Sequence, residues 1–182
     1  MKILSSVLNG VLKIGAEQYN DSRGWFCEGY RQDTFQQLHI HNVFVQDNFS
    51  HTIKRGTIRG LHYQEEPYGQ TKLFRCVRGV VYDVVVDLRK DSSTYLQWAG
   101  FKLSDDQFEW LYVPKGFAHG FQALCDNCDV QYKVDAAYQP KAERCIRWND
   151  SQLNINWPIS AANLSKKDSQ GMTTEEFKRF GE

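Results

Sequence analysis

The stretch VVYDVVVDL, residues 80 to 88, reads as a β-strand, and its alternation sets the fold class. Tyr82, Val84, Val86 and Leu88 fall on one face, which is wholly apolar. Val81, Asp83, Val85 and Asp87 fall on the other, which is mixed. A mixed face looks either to solvent or into the polar interior of a barrel, and periodicity alone leaves both open.

Working outward, similar runs recur from about residue 43 to residue 148, separated by Gly, Pro, Asn or Asp: VFVQDNFSHT, TKLFRCV, LQWAGFKL, FEWLYV, GFQAL and DVQYKV. Their repetition predicts an all-β chain, an antiparallel jelly-roll barrel with short helices at its ends. One helix is expected near Asp33 to Leu38. Another opens at Thr173, with Glu176 three residues on in capping-box spacing. No repeat or linker interrupts the pattern, so residues 1–182 read as a single domain.

Lys plus Arg and Asp plus Glu both number 22, so no overall field draws the chain to nucleic acid or to a membrane. The opening MKILSSVLNGV is broken by Ser5, Ser6, Asn9 and Gly10, unlike a secretory segment. Cys27, Cys76, Cys125, Cys128 and Cys145 form an odd set without framework spacing, which suits reduced thiols in the cytoplasm. Cys125 and Cys128 make a CxxC; with no second pair, they read as incidental thiols near a strand end.

Chemistry concentrates in two stretches. RGLHYQ (59–64) and QTKLFR (70–75) gather Arg59, His62, Gln64, Lys72 and Arg75 onto neighbouring strands. VPKGFAHGF (113–121) has the P-x-G-x-x-H spacing of the second cupin motif, which turns its histidine, here His119, into a barrel. A metal cupin would add H-x-H and a glutamate. Here the first motif is His62-Tyr63-Gln64, followed by Tyr68 and Gly69, so one imidazole is an amide and the carboxylate is missing. No metal site is expected. Arg59 and His62 lie three apart, which in a regular strand points them to opposite faces; a bulge at Gly60 or a second subunit would resolve this.

DSRGWFCE (21–28), FVQDNFS (44–50), RGLHYQ, DVVVDLRKDS (83–92), VPKGFAHGF, VQYK (130–133), RWND (147–150), INWP (155–158) and LSKKD (164–168) follow in order. Together they resemble the dTDP-4-dehydrorhamnose 3,5-epimerase family from about residue 20 to residue 168. Thr71 stands where that family commonly has glycine, and Ser93 and Leu96 replace a usual proline and glycine.

The resemblance implies inversion of carbons 3 and 5 of a dTDP-linked 4-keto-6-deoxy sugar, in dTDP-L-rhamnose biosynthesis. It also implies a homodimer that uses no cofactor. His62 would be the base, oriented by Asp168 as the aspartate orients histidine in a serine-protease triad. Tyr132 would be the acid on the opposite face of the sugar ring, and Lys72 would stabilise the enolate. Arg23, Arg59 and Lys167 would hold the diphosphate. Glu28, Gln46, Asn48, His119 and Glu143 would hold base or sugar groups, with Tyr138 beside the substrate. Three other readings stay open: single inversion, since related single-site enzymes share these motifs; a metal-dependent cupin; and a sugar-nucleotide-binding module without turnover.

Overall fold

A computed structural model describes residues 1–180. Its strands form two facing antiparallel sheets. The first contains β1 (Lys2–Val7), β2 (Val11–Gly15), β10 (Glu109–Val113), β7 (Lys72–Arg78), β12 (Cys128–Val134) and β5 (Gln46–Thr52), in that spatial order. The second runs β13 (Glu143–Cys145), β6 (Ile58–Gln64), β11 (Phe117–Ala123), β8 (Val80–Asp87) and β9 (Trp98–Ser104). A hairpin of β3 (Gln18–Asp21) and β4 (Gly24–Cys27) pairs only with itself. The all-β jelly-roll expectation holds, with one refinement: the sheets face each other without closing into one hydrogen-bonded barrel.

The mixed face of β8 turns inward. Val81 and Val85 join Phe74, Leu111, Val113, Phe117, Phe121 and Val130 in the core between the sheets, while Asp83 and Asp87 are fully buried beside them. Asp87 is neutralised there by Arg89, at 2.7 Å, and accepts from Ser92 and Thr94. The apolar face, Tyr82, Val84 and Val86, packs outward under the C-terminal segment against Leu61, Ile146, Leu153 and Trp157. A third cluster on the outer face of the first sheet holds Ile14, Phe35, Leu73 and Trp110. It seats α1 (Gln32–Gln37), where the first helix was expected.

The chain after β13 is mostly irregular and is held by specific bonds. Asp150 accepts from the N–H groups of Gln152, Leu153 and Thr174, and Gln122 exchanges two bonds with the Ile159 backbone. These seat α2 (Lys166–Ser169), a single turn absent from the sequence reading, and α3 (Thr174–Phe180). The capping box opening α3 is present: Thr173 N–H donates to Glu176 Oε2 at 2.7 Å and Glu176 N–H to Thr173 Oγ1 at 3.1 Å. Among the described residues, no helix is long and apolar enough to cross a membrane.

Leu96, in the turn before β9, has φ +59°, the left-handed conformation that the glycine usual at this position tolerates. Its side chain packs on the outer cluster, which offsets the local cost.

β6 carries the decisive irregularity. It pairs with β11 so that His62 faces His119 and Arg59 faces Phe121, three residues against two. The bulge at Gly60 resets the alternation, and Arg59 and His62 both point inward. Gly60 adopts φ +120°, and a Cβ there would lie 2.6 Å from Gly120 Cα and 2.8 Å from His119 O. Gly60→Ala should therefore destabilise the fold by at least about 2 kcal/mol through strain and backbone overlap. An unchanged urea midpoint for that variant would mean the two strands can separate at no cost.

Candidate active site

Between the sheets lies a polar cavity of two adjoining lobes, about 290 and 310 Å³. His62, Lys72, Tyr132 and Glu143 line both lobes. One lobe adds Gln46, Asn48 and Tyr138; the other adds Arg59, His119, Lys167 and Asp168.

His62 Nε2 lies 2.5 Å from Asp168 Oδ1. Asp168 comes from α2, capped by Ser165, whose hydroxyl accepts the Asp168 N–H at 3.0 Å. Burial pushes the Asp168 carboxyl up, but the bonds from His62, Ser165 and the Gly60 backbone outweigh it and leave it below its ordinary value. It is therefore ionised and accepts from His62 Nε2–H, which leaves Nδ1 as the ring's basic nitrogen.

Lys72 extends from β7 to 3.4 Å from His62 O. Burial lowers its pKa from 10.5 to about 8, with Asp83 and Glu143 opposing the shift. It is thus still an ammonium at neutral pH, and poorly solvated. Tyr132 rises from β12, stacked on Phe74 at 6.3 Å between ring centroids. Burial and the nearby Glu143 charge raise its pKa, keeping the phenol protonated. His62 belongs to the second sheet and Tyr132 to the first, so the two groups approach the cavity from opposite walls.

His119 sits opposite His62 in register and is held by Asp83, its Nε2 lying 2.8 and 3.0 Å from the two carboxylate oxygens. Burial pushes His119 below its ordinary value and Asp83 above its own. In the sequence Asp83 was legible only as a carboxylate on the mixed face of β8. Arg59 is aimed by bonds to Thr52 Oγ1 (3.1 Å) and His51 O (2.9 Å). Glu143 pairs with Lys167 and accepts the Tyr138 hydroxyl at 2.6 Å. Gln46 donates to Asn48 Oδ1 at 2.8 Å.

Arg75, Arg23 and Glu28 lie off the cavity wall of this chain. Arg75 does not join Lys72: alternation along β7 turns it to the outer face, where its guanidinium lies 5.1 Å from the Trp110 ring centroid. Arg23 is exposed on the β3–β4 hairpin and pairs with Asp21 at 2.6 Å, and Glu28 pairs with Arg31 at 3.0 Å. Neither lies on the cavity wall of its own chain. Thr71, at the glycine position, is buried off the cavity lining: its N–H donates to Asp135 Oδ1 at 2.6 Å and its hydroxyl accepts from Asn42 Nδ2 at 3.2 Å.

Gln64, where a metal cupin has histidine, donates to Tyr68 O at 2.7 Å and accepts from Gln139 N–H at 2.7 Å. It holds two loops together. Among the described residues, one trio has its candidate ligand atoms within 4.8 Å of one another: His62, Cys145 and Asp168. Two of these are already bonded to each other.

Moving protons at a carbon beside a carbonyl is the chemistry for which such a cavity is equipped, and the class it defines is that of cupin-type epimerases. The family model for dTDP-4-dehydrorhamnose 3,5-epimerase matches residues 5–176, and the chain belongs to that family. The Shigella flexneri dTDP-4-dehydrorhamnose 3,5-epimerase is 44% identical over 172 residues, covering 94% of each chain. The Bacillus anthracis enzyme, crystallised with TDP and PPi bound, superposes with a TM-score of 0.93 at 42% identity, covering 94% of this chain and 98% of that one. The Legionella pneumophila enzyme, in complex with dTDP-4-keto-L-rhamnose, gives 0.91 at 38% identity, covering 96% and 93%.

The Lys72 shift has a direct kinetic consequence. As pH rises through about 8 the ammonium is lost, and with it the charge available to an enolate, so turnover should fall on the alkaline side near pH 8. Lys72→Met should lose about 100-fold in turnover and show no such limb. A pH–rate profile in which that variant keeps the limb would assign it to another group.

Proposed function

We propose that the protein inverts carbons 3 and 5 of dTDP-4-dehydro-6-deoxy-D-glucose, giving dTDP-4-dehydro-L-rhamnose for dTDP-L-rhamnose biosynthesis. The observation that carries this reading is the placement of a carboxylate-held imidazole and a protonated phenol on opposite walls, with a desolvated ammonium between the same lobes.

His62 Nδ1 takes the proton from the carbon beside the ketone, and Asp168 stabilises the resulting imidazolium. Negative charge then develops on the keto oxygen. A donor aimed at that oxygen acts only as the enolate forms and supplies roughly 3 kcal/mol, and Lys72 fills this role. Tyr132 returns a proton from the opposite face, which inverts the centre. Repetition at the second carbon needs the same groups and no cofactor. Arg59 and Lys167 hold the diphosphate, with His119 beside them, while Gln46, Asn48, Tyr138 and Glu143 fix sugar or base.

The division of labour predicts two different failures. Tyr132→Phe should still wash deuterium from solvent into the substrate at carbons 3 and 5 while forming little inverted sugar. His62→Ala should do neither, losing roughly 100-fold or more in turnover. Mass spectrometry of recovered substrate, with product trapped by a 4-keto reductase, reads both. Inversion at the normal rate in Tyr132→Phe would move the acid to another group. Label at one carbon only in the wild type would favour a single-site epimerase, and nucleotide binding without exchange a binding module.

We further propose a cytoplasmic homodimer in which the hairpin of one subunit completes the cavity of the other. The hairpin displays Arg23 just before exposed Trp25 and Phe26, and the edge strand β5 exposes Phe49, with Val43 and Val45 just before it. Such apolar surface is unusual for a free face. Arg23→Ala and His62→Ala, each deficient alone, should recover activity when co-refolded, because one cavity of the mixed dimer is intact. Absence of recovery after verified subunit exchange would place Arg23 outside the site.

A further inference from the structure

The CxxC pair takes no part in the cavity, yet the fold brings its two sulfurs together. Cys125 Sγ and Cys128 Sγ lie 3.2 Å apart, where the β11–β12 turn passes the β7–β8 turn. The surroundings hold both in place: Val80 N–H donates to Cys125 Sγ at 3.3 Å, and Cys128 Sγ–H donates to Val80 O at 3.3 Å and to Cys125 O at 3.2 Å. Gly79, with φ +81°, makes the room. A Cβ there would stand 2.6 Å from Cys125 Sγ and 3.1 Å from Cys128 Sγ. Cys76, the nearest other thiol, is turned to the carbonyls of Arg78 and Gly79.

We propose that Cys125 and Cys128 form a reversible, oxidant-accepting dithiol, a modification site separate from the epimerase cavity. A disulfide needs its sulfurs about 2.05 Å apart, so the thiols must close by roughly one ångström within a short turn. Cys125 is partly exposed and Cys128 fully buried, which assigns the order of events. The Cys125 thiolate attacks a low-molecular-weight disulfide such as oxidised glutathione, forming a mixed disulfide and releasing one glutathione thiolate. The Cys128 thiolate then attacks the Cys125 sulfur and expels the second glutathione. The two protein thiols lose two electrons and two protons, and oxidised glutathione becomes two reduced molecules. In a reducing cytosol such a bond is transient, as cytosolic redox disulfides are.

The test treats the full-length enzyme with excess oxidised glutathione, followed by peptide mapping under non-reducing conditions. The expected product is an internal Cys125–Cys128 link carrying no glutathione, reversed by dithiothreitol. Cys128→Ser should instead retain glutathione on Cys125, and Cys125→Ser should take up nothing at Cys128. Both variants should keep wild-type epimerase turnover, which certifies their folding. Stable glutathione on Cys125 of the wild type, a link to Cys76 or Cys27, or an unmodified pair would each overturn the proposal.

Discussion

β6 and β11 approach so closely at Gly60 and Gly120 that neither position admits a side chain, and the contents of the cavity follow from that approach. A Cβ on Gly120 would stand 2.6 Å from Arg59 O, as one on Gly60 would collide with Gly120. Bare backbone lets β6 take one residue more than β11 opposite it, and the extra residue moves His62 from the outer cluster to the inner wall. Without the bulge, strand alternation would offer the cavity either Arg59 or His62, never both. The same stretch of backbone meets the orienting carboxylate, because the Gly60 amide contributes to holding Asp168 ionised.

The second constraint is electrical. The cavity region gathers Lys72, Lys167 and Arg59 with Asp83, Glu143 and Asp168, and most of these groups have a partner at hydrogen-bonding distance. Lys72 and Arg59 differ from the rest in having no carboxylate partner among the described residues: the Lys72 ammonium donates to the His62 carbonyl at 3.4 Å and lies in the field of Asp83 and Glu143. On the proposed mechanism, burial of Lys72 without a dedicated counter-ion leaves its charge available to an oxyanion that forms beside it. A close Asp or Glu would lift its pKa and also compete for the substrate.

How much of this the sequence disclosed depends on distance along the chain. Strands with local alternation, such as β8 and β12, were legible, as was the capping box at Thr173. Strands β1, β3 and β4 were not: β1 is exposed along most of its length, and β3 and β4 pair only with each other, so none of the three carries the stripe that a buried face imposes. The inward turn of Asp83 stayed ambiguous because solvent and a polar interior impose the same pattern. Residue density in QTKLFR groups Arg75 with Lys72, but alternation along β7 splits the segment between two faces. The roles of His62 and Asp168 came from family resemblance. Nothing local in LSKKD announces a buried carboxylate, whose partner lies 106 residues away.

That separation has a consequence for how the enzyme comes into being. The jelly roll is complete in covalent terms by β13, yet the segment that delivers Asp168 reaches it through a parallel bridge from Asn163 to Thr57 and another from Met172 to Ile146. Until residue 168 has docked, a growing chain holds His62, Tyr132 and Lys72 without the carboxylate that His62 bonds. On the proposed mechanism, catalytic competence waits for the segment beyond β13 to dock, and a chain clipped before Asp168 keeps both sheets without a working proton relay.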